Sequence, residues 1–192
     1  MEPAMPSHID IATAGETLRE ARRIVVIGCS GGGKSTLAQK IAAHFKLKYV
    51  SFDRDVIWLP GWKERPASER RELIAEAVKG ERWITDGTST SSFDLRLPRA
   101  DLVIWVRMPR WLCLWGVISR RFKYARRSRP DMAPGCPERL EWQFLRYIWT
   151  FEAVQTPRII AGLDKHGPDV PVFVMKSRRQ ARKLLDLAGL PA

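Results

Sequence analysis

The stretch Gly28-Cys29-Ser30-Gly31-Gly32-Gly33-Lys34-Ser35-Thr36 stands directly after the apolar run Arg23-Ile24-Val25-Val26-Ile27, and its reading decides the fold. It meets every position of the pattern G-x-x-x-x-G-K-[ST]. A polyphosphate needs dispersed positive potential, and successive backbone N–H groups of a glycine-rich turn supply it where no Cβ blocks close approach. In this pattern Gly28, Ser30, Gly31, Gly32 and Gly33 form the cradle, Lys34 reaches the β- and γ-phosphates, and Ser35, with Thr36 beside it, offers a hydroxyl to Mg²⁺. A helix beginning near Gly33 adds unpaired N–H groups and the positive end of its dipole. Leu37, Ile41 and Phe45 follow at helical spacing, completing a strand-loop-helix unit. The expected ligands are ATP and Mg²⁺.

Upstream, residues 1 to about 20 show no clear apolar period and read as a tail with one short helix near Glu16 to Arg22. Downstream, Tyr49-Val50-Ser51-Phe52 reads as a second strand, with Asp53-Arg54-Asp55 at its C-terminal end. Pro60-Gly61 marks a turn, and Leu73, Ile74, Ala77 and Val78 give helical spacing over 68–79. Arg82 to Asp86 and Leu102 to Val106 are continuous apolar runs, as parallel strands covered on both faces require. A helix from Trp111 to Tyr124 runs into a basic, Pro-containing segment at 120–137, and an aromatic-rich helix covers Glu138 to Val154. Pro171 to Met175 is a fifth strand, and Arg178 to Ala188 a terminal helix. This alternation predicts an α/β fold, a five-stranded parallel sheet doubly wound by helices, in one domain over 1–192. Right-handed crossovers bring the strand C-termini to one edge, so Asp53, Asp55, Asp86 and the glycine-rich loop are expected in one cleft.

Three cysteines without C-x-x-C spacing support neither a disulfide framework nor a zinc site, and a reducing cytoplasm suits them. Cys29 reads as a small filler. No export signal or membrane-spanning run is visible; the longest apolar run, Trp111 to Ile118, is too short. The net charge of +12 is uneven, since residues 101–192 hold 17 Lys and Arg against 8 Asp and Glu. Arg120, Arg121, Lys123, Arg126, Arg127 and Arg129 cluster without an intervening acid. Three readings stand for them: a lid over phosphates, a nucleic-acid contact, or a solvated face.

Asp86 ends the third strand, placed to reach the water shell of Mg²⁺ or to make an Asp-Gly turn. On an extended strand end, Asp53 and Asp55 fall on the same side. One of them capping a helix or pairing with Arg54 is the competing reading. Arg96 is a candidate bidentate clamp for an acidic or phosphorylated acceptor, or a surface partner of Asp94 or Asp101. Trp58 and Trp62 flank the Pro-Gly turn and are candidates to wall a substrate pocket; Trp105, Trp111, Trp115, Trp142 and Trp149 are expected to pack helices.

The glycine-rich loop, Asp53-x-Asp55, Asp86-Gly87 and the Arg-rich segment together resemble the small P-loop kinases of the adenylate, shikimate and gluconate kinase group. More narrowly, Trp58-Leu59-Pro60-Gly61-Trp62, Trp83 to Thr88, Asp94 to Leu97, Arg129 to Met132 and Gly135 to Arg139 are similar to bacterial adenylate-kinase-like "DNA topology modulation" (FlaR-like) proteins, over most of residues 23–185. The resemblance implies a P-loop NTPase of the nucleoside monophosphate kinase-like type with a small Arg-rich lid, and ATP- and Mg²⁺-dependent transfer to a hydroxyl or nucleoside monophosphate acceptor. It implies that Asp53 holds an Mg²⁺-bound water, that Asp55 orients or deprotonates the acceptor, and that Arg121, Arg126 and Arg127 close over the phosphates. The loop Lys176-Ser177-Arg178 resembles the one holding adenine in these kinases. The alternative is a nucleotide-dependent DNA-binding or regulatory ATPase, favoured by the +12 charge and the group's topology label. Asp86-Gly87-Thr88 stands where adenylate kinases carry Gly-x-Pro-Arg, which argues against adenylate kinase activity itself.

Overall fold

Ile24, Val25, Val26 and Ile27 are all fully buried, so β1 (Arg23–Gly28) has no polar face and needs a covering layer on each side. The computed structural model describes residues 7–124, 132, 135, 136 and 141–190. Ahead of β1 lies α1 (Ile11–Glu20); after it come the glycine-rich loop, α2 (Lys34–Phe45) and β2 (Lys48–Ser51). A π-helical turn, Phe52–Ile57, leads to a small antiparallel hairpin of β3 (Trp58–Leu59) and β4 (Lys63–Glu64), then α3 (Ala67–Ala77). β5 (Trp83–Asp86) continues through the one-turn helix α4 (Phe93–Arg96) to β6 (Leu102–Val106) and α5 (Arg110–Lys123). α6 (Trp142–His166), β7 (Val172–Met175) and α7 (Arg178–Leu187) complete the chain.

The main sheet runs β2-β5-β1-β6-β7 and is parallel throughout. Its register sets Asp86 level with Val26 and Ser51, and Gly28 level with Val106. The carboxyl ends of the central strands therefore open on one edge, with the glycine-rich loop at its middle, the position where open α/β sheets take ligands.

Three expectations are corrected. Residues 11–20 are not a tail: Asp10 caps α1, accepting from Ala12 N at 2.8 Å and Thr13 N at 2.9 Å, while Ala14 and Leu18 are fully buried where α1 meets α7. That buried side includes Ala14 and Gly15, whose small side chains leave little hydropathy signal. The aromatic-rich helix does not stop at Val154 but continues as α6 to His166 with Pro157 inside it. A helix-interior proline costs about 3 kcal/mol, offset here by burial of Ile148, Phe151, Ile159 and Leu163. Finally, Trp105 is buried as expected, but Trp111, Trp115, Trp142 and Trp149 are all more than half exposed.

Candidate active site

The glycine-rich loop is fitted against α5 with no space between backbones. Gly31 has φ 81, and a Cβ there would stand 2.1 Å from the Cys113 carbonyl oxygen. From the other side, a Cβ on Gly116 would stand 2.2 Å from the Gly31 oxygen. A glycine in the interior of a helix costs about 1 kcal/mol relative to alanine, and this close approach is its physical reason. Thr88, after β5, ties down the loop's first residue: its Oγ1 accepts from Gly28 N at 3.0 Å and donates to Gly28 O at 2.9 Å. Lys34 Nζ donates to Cys29 O at 3.0 Å, folding back over the loop. The Gly32 N–H donates to Cys29 O at 3.3 Å within the turn. Cys29 is buried beside Cys113 of α5, and this neighbour together with burial pushes the Cys29 pKa up.

Asp86 is buried at the end of β5, and its Oδ2 accepts from the Tyr49 hydroxyl at 3.1 Å. Gln39 Nε2 donates in turn to that hydroxyl at 3.5 Å. Burial raises the carboxyl of Asp86 above the usual carboxylate range, against the opposing pull of Lys34 and Ser35. Burial, followed by the charge of Asp86, also raises the Tyr49 phenol, which stays a neutral donor. The residues Tyr49 and Gln39 carry no motif, and only the pairing of β2 with β5 brings Tyr49 to the acid.

Asp53 and Asp55 do not lie side by side. The backbone after Ser51 enters a π-helical turn instead of staying extended, which sends residues two apart to different sides. Asp53 lines the cleft with Asp86. Asp55 turns back, its Oδ2 accepting from Ser51 N at 2.9 Å and its Oδ1 from Arg54 Nε at 2.7 Å. Asp55, expected to orient the acceptor, does not line the cleft, and these contacts tie it to its own loop.

Arg96 is likewise corrected. It is wholly buried, and its Nη atoms donate to the carbonyl oxygens of Gly87 at 2.9 Å, Thr88 at 2.8 Å and Ser89 at 3.1 Å. Its guanidinium lies over the rings of Phe52 and Phe93, at 4.6 and 5.2 Å from their centroids. It is neither a substrate clamp nor a partner of Asp94 and Asp101, which pair with Arg71 and Arg23. Burial lowers its pKa to about 9, still charged at neutral pH. Ser177 caps α7 by accepting from Gln180 N at 3.2 Å. Arg121 does not line the cleft, whereas Arg120 and Lys123 of α5 do. Arg126, Arg127 and Arg129 lie outside the described residues.

The resulting cleft has a volume of about 790 Å³. It is lined by the loop with Lys34, Ser35 and Thr36, by the rings of Phe52, Trp58, Trp62, Phe144 and Tyr147, and by Arg120 and Lys123. Trp58 and Trp62 meet edge to face at 5.2 Å and pack on buried Met132 and Cys136. The Trp62 N–H is held on Cys136 Sγ at 3.2 Å. A cradle open to the cleft, a lysine over it and a buried acid beside the loop serine make a donor set that fits a nucleoside triphosphate with Mg²⁺, whose coordination is completed largely by phosphate and water. Among the described residues, no helix is long and apolar enough to cross a membrane.

No protein-family model matches this chain, and no curated protein matches it. Among solved structures it is similar to shikimate kinase from Acinetobacter baumannii in complex with shikimate, at 14% identity over 91% of this chain and 93% of that one, with a TM-score of 0.53. It is also similar to shikimate kinase from Bacteroides thetaiotaomicron, at 16% identity over 88% of this chain and 99% of that one, with a TM-score of 0.50. Identity this low speaks for fold alone, and the fold it shows is the doubly wound α/β architecture of the P-loop kinases, with a five-stranded parallel sheet.

Proposed function

We propose that this chain is an ATP- and Mg²⁺-dependent phosphotransferase acting on a small-molecule acceptor. The observation that carries the reading is that one cleft is lined both by a phosphate cradle with Lys34, Ser35 and Asp86 and by aromatic rings together with Asp53. Such a cleft has room for a triphosphate and a second organic molecule in contact. Phosphoryl transfer needs positioning and charge neutralisation more than covalent catalysis. The loop N–H groups and Lys34 hold the phosphates, and Ser35 and Asp86 are the residues that would hold Mg²⁺, which when bound neutralises charge on the phosphates. Asp53 orients the acceptor hydroxyl. Arg120 and Lys123 line the same cleft from α5, where the basic segment 120–137 with Arg126 and Arg127 begins. The likeness to FlaR-like proteins agrees with this fold and leaves the acceptor open.

A second reading is a nucleotide-dependent single-strand-binding ATPase. The exposed Trp111, Trp115, Trp142 and Trp149 favour it, because aromatic rings beside basic groups on a +12 chain form a stacking platform. Measuring ADP release with and without acceptors and with single-stranded DNA separates the two. Acceptor-dependent release supports the phosphotransferase, and DNA-stimulated release with steep salt dependence supports the alternative. Lys34→Ala should abolish Mg·ATP binding in calorimetry while leaving Tm within a few degrees. Undiminished binding by the folded variant refutes the loop as nucleotide site.

A further inference from the structure

Tyr49 of β2 touches three segments that line the cleft: α2 through Gln39, β5 through Asp86, and the π-helical turn through Arg54, the neighbour of Asp53. Resting on the phosphotransferase reading, we infer that Tyr49 is the positioning residue of the Mg²⁺ site. Its hydroxyl fixes the orientation of the Asp86 carboxylate and ties that acid to the helix carrying Ser35.

An aromatic residue on a strand is ordinarily packing, and the register is what gives this one a polar task. Tyr49 pairs with Ile84 and Ser51 with Asp86, so Tyr49 and Asp86 share a face of the parallel pair, two residues apart along it. α2 packs on β5 and sends Gln39 to the same hydroxyl. An ionised carboxylate only accepts hydrogen bonds, which sets the direction of the line: Gln39 Nε2 donates to the Tyr49 oxygen at 3.5 Å, and the Tyr49 hydroxyl donates to Asp86 Oδ2 at 3.1 Å. Gln39 lies one turn beyond Ser35 on α2, on the same side of the helix. The line therefore joins the helix of one residue that would hold Mg²⁺ to the strand of the other.

The strand alone does not orient the acid. The last torsion of an aspartate is broad and roughly two-fold, so β5 fixes where the carboxyl stands but not how its oxygens face. A donor on Oδ2 fixes that, and it also meets a need of Asp86 itself, because a buried carboxylate without a donor is costly. The ring is held in turn. The Arg54 guanidinium lies 5.6 Å from its centroid, and Asp55 accepts from Arg54 Nε at 2.7 Å and from Nη2 at 2.9 Å. Tyr49 does not line the cleft, so it acts through Asp86 and not on a substrate. The coordination shell of Mg²⁺ is close to octahedral and keeps several waters, which leaves an acid beside it little angular tolerance. Partners that orient such groups are typically worth about 10- to 100-fold in metal affinity.

The test uses the full chain, Mn²⁺ as a spectroscopic probe in place of Mg²⁺, and the non-hydrolysable β,γ-imido analogue of ATP, so no turnover is needed. Free Mn²⁺ is read by electron paramagnetic resonance, and affinity for the metal-free analogue by calorimetry in EDTA. Tyr49→Phe keeps the ring and its Arg54 contact and removes the donor. The expected result is Mn²⁺ affinity of the protein–analogue complex lowered about tenfold or more, with affinity for the metal-free analogue within about twofold of the parent. In an Asp86→Asn background the same change should add nothing, because the route from Tyr49 to the metal ion runs through that carboxylate. Unchanged Mn²⁺ affinity in the folded variant overturns the inference. So do equal losses with and without metal, or fully additive losses in the double variant. If Tyr49→Phe does not fold, Gln39→Met removes the outer donor and leaves the phenol in place; it should lower Mn²⁺ affinity about threefold, and no change overturns the inference as well. Failure of the parent protein to bind the analogue at all instead overturns the phosphotransferase reading, and the inference with it.

Discussion

Replacing Arg96 with methionine separates a substrate clamp from a structural pin. The guanidinium makes charge-assisted hydrogen bonds to three carbonyls at 2.8 to 3.1 Å, each worth about 2 kcal/mol net. Its two ring contacts add about 1 kcal/mol apiece. Against this stands the cost of burying the charge, about 5 kcal/mol from a pKa lowered from 12.5 to about 9 by burial. Methionine relieves that cost and fills the space, but it leaves the carbonyls of Gly87, Thr88 and Ser89 without their donor. We expect a net loss of about 3 kcal/mol, which in a chain of this size lowers Tm by about 6 to 12 °C. Arg96→Lys keeps the charge without the planar fork and should fall between. Thermal unfolding followed by circular dichroism at pH 7, with urea titration alongside, reads the effect. A Tm within 1 °C of the parent together with lost acceptor turnover would refute the pin and restore Arg96 as a residue facing substrate.

Asp53→Asn should lower kcat at least tenfold with little change in Tm, whereas Asp55→Asn should lower Tm through the lost contacts to Ser51 N and Arg54 and leave most of kcat; steady-state kinetics showing the reverse pattern would reassign the two acids. Gly31→Ala must move the Cys113 carbonyl and adopt a strained φ, so Mg·ATP affinity by calorimetry should fall tenfold or more, with a stability cost of more than about 1 kcal/mol. Asp101 accepts from the backbone N–H groups of Arg22 and Arg23, both at 2.9 Å, and pairs with the Arg23 side chain at 2.7 Å. Against the upward push of burial, these contacts hold its carboxyl below the usual range, so the stability they contribute is present at neutral pH and lost as pH falls through that lowered pKa. Asp101→Asn should therefore lower Tm at pH 7, with the gap to the parent closing in strongly acidic buffer.

The order of strands and the place of the phosphate loop were legible in the chain because both are local. Nine consecutive residues from Gly28 to Thr36 carry the loop's chemistry, and runs such as Leu102 to Val106 announce strands buried on both faces. The roles of single charged residues were not local. Asp53 and Asp55 share a side only if the backbone stays extended, and burial of Phe52 and Val56 accompanies the turn that parts them. Tyr49 and Asp86 are 37 positions apart and meet because β2 pairs with β5. Arg96 has the composition of a surface clamp, and the identical side chain becomes a core pin once α4 places it beneath the Gly87–Ser89 turn. Periodicity states which residues are apolar, but not whether a partner surface exists to cover them, so four tryptophans expected inside stand in solvent. Secondary structure follows from neighbours along the chain; the environment of a charge or a ring follows from what the fold packs against it, and that is decided only in three dimensions.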